Sequence, residues 1–143
     1  MSQSKNPPTQ PPAKPINWKR MMGMAGPYPA EAFHFVRDGL GFTALRVHQD
    51  YPNMPEGERH ISGQQLCIGL RDFAIQQYGL LAPTVMRHWN VHRTDDFGRI
   101  VFAMIEEGMM SKNSDDSLED FRAVFDFEEA FSGDQMLAQL VTS

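Results

Sequence analysis

At 143 residues, with 41% apolar and 22% charged side chains, the chain has room for one domain with a real core and is too apolar for a disordered polymer. No apolar run approaches the roughly 20 residues that a spanning helix needs, and the N-terminus is polar and Pro-rich where a secretory signal requires an apolar stretch. A single cysteine, Cys67, cannot form an internal disulfide, so the expectation is a protein of a reducing cytoplasm.

Residues 1–27 hold six of the ten prolines and four basic residues, Lys5, Lys14, Lys19 and Arg20, with no acid. This composition predicts a disordered basic tail. Of the thirteen basic residues nine then remain in the body, against all eighteen acids, so the body is strongly negative. Within the tail, Trp18 with Met21, Met22 and Met24 is a candidate docking segment, because such side chains adapt to apolar grooves.

A single compact domain is expected over 28–131. Phe33, Val36, Leu40, Thr43 and Val47 step by three and four, predicting a helix over 29–47. Gly39 and Gly41 are its weak point: each costs about 1 kcal/mol relative to Ala in a helix interior, so the alternative is a break there and a strand over 42–47. Residues 50–59 read as a loop. Ser62 and Gln65 then make a capping box, with Ile61 positioned to pack on Leu66. Behind it Leu66, Leu70, Phe73, Ala74 and Gln77 share one helical face until Gly79. Pro83 opens a second, short helix with Val85, Met86 and Trp89 as its stripe, ended by Asn90.

Thr94 is the expected cap of a third helix. Asp95 and Asp96 sit at its positive end, and Phe97, Ile100, Val101, Met104 and Ile105 form its buried stripe as far as Gly108. After a polar loop the period drops to two. Phe121, Ala123, Phe125 and Phe127 alternate with Arg122, Val124 and Asp126, predicting a strand that pairs with 109–112 as a hairpin. Three helices and a hairpin make a mainly α (α+β) domain of winged-helix type with an additional N-terminal helix. Residues 128–131 predict a helical turn, and 132–143 an extension with helical spacing at Met136, Leu137, Leu140 and Val141.

No catalytic motif is present, neither GxSxG, GxxxxGK[ST] nor CxxC, so the chain is read as a non-enzyme without a cofactor. His88 and His92 share an i, i+4 spacing, but Asn90 separates them and no HExxH accompanies them. With Arg87 and Arg93 they predict a basic patch rather than a metal site. Cys67, beside Leu66 in a helix, reads as a structural thiol. Nine of the acids fall between 106 and 129, without the spacing of an EF-hand, and predict a solvated acidic face. The acids at the start of the third helix and in the hairpin disfavour DNA reading by that helix.

The runs Arg59-His60-Ile61-Ser62-Gly63-Gln64-Gln65-Leu66, Tyr78-Gly79-Leu80-Leu81-Ala82 and Thr94-Asp95-Asp96-Phe97-Gly98, then Asp116-Ser117-Leu118-Glu119-Asp120-Phe121 and Phe125-Asp126-Phe127-Glu128-Glu129-Ala130-Phe131, resemble an uncharacterised small-protein family found mainly in planctomycete and verrucomicrobial bacteria. The resemblance covers about 29–131 and implies a compact bacterial cytoplasmic domain with no assigned activity. Two functions are expected from the residues. The first is a non-catalytic module that binds a protein partner through the acidic face or a groove. The alternative is nucleic-acid binding by the basic tail and the patch of Arg87, His88, His92 and Arg93.

Overall fold

A computed structural model of the chain describes residues 15–48, 53–55, 60–110 and 117–142. Helix α1 (Trp18–Ala25) opens with Asn17, whose side chain accepts from the Arg20 N–H at 3.0 Å. Met21 and Ala25 are buried, and Trp18 stands edge-on to Phe33 at 6.1 Å. Part of the expected tail is therefore folded, while 1–14 lie outside the described residues. The prolines and Lys19 and Arg20 obscured a stripe, Trp18, Met21, Met22 and Ala25, that has helical spacing. Arg20 closes a fork on Glu107, with Nε and Nη2 at 2.9–3.0 Å from its two oxygens. The Glu107 side chain is 4% exposed and that of Arg20 59%, so the carboxylate is shielded from water while the guanidinium stays open to it.

Helix α2 (Ala30–Val47) runs unbroken through both glycines, and α3 (Gly63–Tyr78) begins with the expected Ser62–Gln65 capping box. The two helices cross where each offers the other a notch. A methyl group on Gly69 would collide with Thr43 Oγ1, and one on Gly39 would collide with Leu70 Cδ2. Glycine at both places lets the backbones approach, and Thr43 keeps its buried hydroxyl satisfied by donating to the Gly39 carbonyl at 2.7 Å. The propensity cost of Gly39 is thus offset by packing. Phe35, Phe73, Tyr78 and Trp89 fill the adjoining space with ring centroids 5.3–6.3 Å apart.

Gly79, at φ +57°, ends α3, and a single 3₁₀ turn (Gly79–Leu81) leads into α4 (Ala82–His88) with Pro83 in its first turn. Asn90 takes φ +66° and turns the chain into α5 (Thr94–Glu106). Thr94 is not the cap it was expected to be: fully buried, its Oγ1 donates to the Phe121 carbonyl at 2.7 Å and accepts from the Val124 N–H at 3.0 Å. Asp96 serves the helix start instead, accepting from the N–H groups of His92 and Arg93 at 2.8 and 3.1 Å.

The expected hairpin is absent, and with it the α+β winged-helix assignment: among the described residues there is no strand. After a 3₁₀ turn (Leu118–Phe121) come α6 (Phe127–Ala130) and α7 (Gly133–Thr142). The alternation of Phe121, Ala123, Phe125 and Phe127 comes from a chain that does not repeat. Phe121 plugs a cleft where methyls on Gly98 and Gly63 would meet it at 2.8 and 3.0 Å. Ala123 is exposed at φ +49°. Phe125 and Phe127 stack on each other, and Phe131 closes edge-on at 6.4 and 5.2 Å. Met109 and Met110 pack against the core, while the rest of the expected partner strand, 111 and 112, lies outside the described residues. Met21, Ala25 and Met136 join this core from both sides of the expected 28–131 span.

Candidate functional site: a groove between α1 and α5

On α5 the residues Arg99, Phe102, Ala103 and Glu106 follow the i, i+3, i+4, i+7 rule and share one face. That face lies beside the stripe of Phe97, Ile100, Val101 and Met104, which points into the core, and its Ala103 is itself buried. Met24 and Ala25 of α1 form one wall and Leu118 of the 3₁₀ turn the other, enclosing a groove of about 390 Å³. Its walls are aliphatic and aromatic, and Met24 and Leu118 are half-exposed at the rim. Arg99 and Glu106 mark its two ends, two turns apart, or ~10 Å along the axis.

Arg99 is held in place from below. Asp96, buried, accepts from the Tyr28 hydroxyl at 2.5 Å, and Arg99 Nη1 lies 3.4 Å from the same carboxylate oxygen and 3.5 Å from the Tyr28 oxygen. Burial, reinforced by the hydrogen bond to Asp96, pushes the Tyr28 hydroxyl up to about 12. A carboxylate this deep requires compensation; it has two backbone donors, a phenol and a guanidinium. The network ties the start of α5 to Tyr28, in the link between α1 and α2, and so fixes the α1 wall of the groove relative to α5.

The sequence-predicted residues fall elsewhere. Trp18 is half-buried in its own molecule, between Phe33 and His34, so the candidate docking segment is docked on the body. Arg87 and His88 at the end of α4 and His92 and Arg93 just before α5 are all exposed. Arg87 Nη2 reaches Thr84 Oγ1 at 3.3 Å, and His92 Nε2 lies 3.0 Å from Asn90 Oδ1. Among the described residues no group of three or more His, Cys, Asp or Glu is placed to hold a metal. Cys67 is fully buried, and burial pushes its thiol up to about 12, which leaves it unreactive in the folded state.

The acidic stretch is less of a face than its composition suggests. Glu107 is taken by Arg20 and the Asn17 N–H, Asp120 accepts from the Ser117 N–H, and Asp126 accepts from the N–H groups of Glu128 and Glu129. Glu106, Glu119, Glu128 and Glu129 stay exposed, while Asp115 and Asp116 lie outside the described residues.

A second hollow, about 380 Å³, lies between α3 and α7 and is lined by Arg71, Asp72, Phe125, Glu129, Gln135 and Gln139 among others. Its shielded carboxylate, Asp72, is already partnered. Asp72 accepts from Arg71 at 2.9 Å, from Arg46 at 2.8 Å and from Gln139 at 2.6 Å. Burial alone would raise its carboxyl, but the bonds from Arg71 and Arg46 outweigh it and hold the group below the ordinary carboxylate range. This hollow is a seam that fastens α7 to α3.

Sequence reasoning missed the groove because it scored α5 for one face. The available signal was the width of its apolar surface: Phe102 and Ala103 fall outside the core stripe, so a second packed or binding face was due. Compared with models of protein families, with curated proteins and with solved structures, the chain matches none.

Proposed function

We propose that the protein is a non-catalytic interaction module whose α1–α5 groove takes an amphipathic helical segment of a protein partner. The observation that supports this reading is the pairing of an apolar trough with opposite charges at its ends. Such a trough suits a helix with apolar residues at i, i+3 or i+4 and i+7, an acid that meets Arg99 and a base that meets Glu106. No helix of the described residues is long and apolar enough to cross a membrane.

The test is selection from a library of helical peptides. Enriched sequences are expected to carry that apolar spacing with acid and base two turns apart, and Met24→Asp or Leu118→Asp is expected to weaken them at least about tenfold, since a charge would be buried against apolar surface. Both residues are half-exposed, so the fold is expected to stay intact by circular dichroism. Peptides without the charge pattern, or undiminished binding to both variants, would contradict the reading.

A second reading, nucleic-acid binding through the basic N-terminal segment and Arg87, His88, His92 and Arg93, draws on the common exposure of those four side chains. It requires affinity that falls steeply with salt and that drops when Arg87 and Arg93 are both changed to Ala. Salt-independent or unchanged binding would remove it.

A further inference from the structure

We propose that the surface formed by α7 and the Gly79–Leu81 turn is an interface between two copies of this chain. Helix α7 packs against that turn, and the two elements together carry four exposed large aliphatic side chains. Leu80 is 52% exposed, Leu81 65%, Leu137 51% and Val141 80%. Leu137 and Val141 stand one turn apart on the same side of α7, whereas Met136 turns into the core and Gln139 to Asp72. The helix thus carries a second apolar flank beyond the one it uses to dock.

Two features specify a second copy as the occupant. The first is charge. Although 22% of the chain is charged and its net charge is −5, no charged residue occurs over 73–86 or over 135–142. Two negative molecules repel wherever their acidic surfaces meet; these two stretches bring no charge of their own to such a contact, the nearby acid being Asp38, which acts on Tyr78, and they offer a charged partner little that is complementary. The second is area. Four such side chains expose on the order of a few hundred Å², about the largest apolar patch that an ordinary monomer leaves open. Doubled across a two-fold axis and extended by its rim, it reaches about the 1,000 Å² at which specific interfaces begin. A two-fold arrangement sets α7 beside its copy, so that each leucine meets the partner's equivalent face. The patch shares no residue with the α1–α5 groove.

Sedimentation velocity of the full chain, from low micromolar to sub-millimolar concentration, tests the proposal. The expected result is a monomer–dimer equilibrium that strengthens or holds as salt rises. The double variant Leu137→Glu, Val141→Glu and, separately, Leu81→Lys are each expected to raise the dissociation constant at least about tenfold, and Leu118→Asp in the groove to leave it unchanged. If the double variant lost its helical spectrum, Leu81→Lys, on the exposed turn, would decide. A wild-type monomer at the highest concentration, a dimer that survives both patch variants, or a dimer broken only by Leu118→Asp would overturn the proposal. Because the groove reading is tested with peptides, either can fail while the other stands.

Discussion

The α2–α3 crossing and the segment over 117–131 are both closed by glycine, yet they hold together in different ways. At the crossing, two regular helices supply periodic faces, and Gly39 and Gly69 bring them into contact along an existing period. Over 117–131 no period organises the chain. Phe121 enters a cleft floored by Gly98 and Gly63, Thr94 binds the backbone on either side of the turn, and a cluster of Phe125, Phe127 and Phe131 reaches Phe97 in the first turn of α5 through Phe127. The first arrangement is built from repetition and refined by notches; the second depends on a single wedge whose fit is set by residues far away in sequence.

That contrast breaks most readily at the wedge. Phe121→Ala is expected to cost about 3–5 kcal/mol in denaturant unfolding, because the buried ring leaves a cavity between glycines that cannot collapse onto it. Gly69→Ala gains up to ~1 kcal/mol of helix propensity but drives a methyl into Thr43, for a net loss of about 1–3 kcal/mol. Thr94→Val keeps the shape and leaves the Phe121 carbonyl and the Val124 N–H without their partner, a loss of about 1–3 kcal/mol. An unfolding midpoint unchanged by Gly69→Ala would mean that the helices do not cross at the notch.

Smaller effects sharpen the same comparison. Gly41 lies in the same helix as Gly39 but faces open space, with nothing within 4 Å of the point where a methyl would stand. Gly41→Ala is therefore expected to stabilise by about 0.4–1 kcal/mol, opposite in sign to Gly69→Ala. The Asp72 junction responds to acid. Its folded carboxyl lies below the ordinary value near ~4, so its contribution is complete above that value and is lost as pH falls through the lower, folded one. Asp72→Asn is expected to flatten the acid limb of the stability profile; an unchanged acid limb would show that Arg71 and Arg46 do not favour the charged form.

Residues that act locally were legible from sequence. The Ser62–Gln65 box, the stop at Gly79, Pro83 at a helix start and the α5 stripe each depend on neighbours within two turns. The hairpin was not, because alternation of Phe121, Ala123, Phe125 and Phe127 is the same string whether the side chains face a sheet or separate pockets. What distinguishes the two is Gly98 and Gly63, more than twenty residues away. Thr94 misled for a related reason: a hydroxyl at a helix start is normally its cap, but here two long-range backbone partners take it and Asp96 caps in its place. Helix α1 was hidden by average composition, with four well-spaced apolar residues among prolines and basic residues. The groove followed from that omission, since one of its walls is α1.

The most direct test is nuclear magnetic resonance of the segment over 117–131. A wedge predicts helical or turn-like chemical shifts at 118–121 and 127–130, with contacts from the Phe121 ring to the α-protons of Gly63 and Gly98. Extended shifts from 121 to 127, with cross-strand contacts to Met109 and Met110, would restore a hairpin and contradict it.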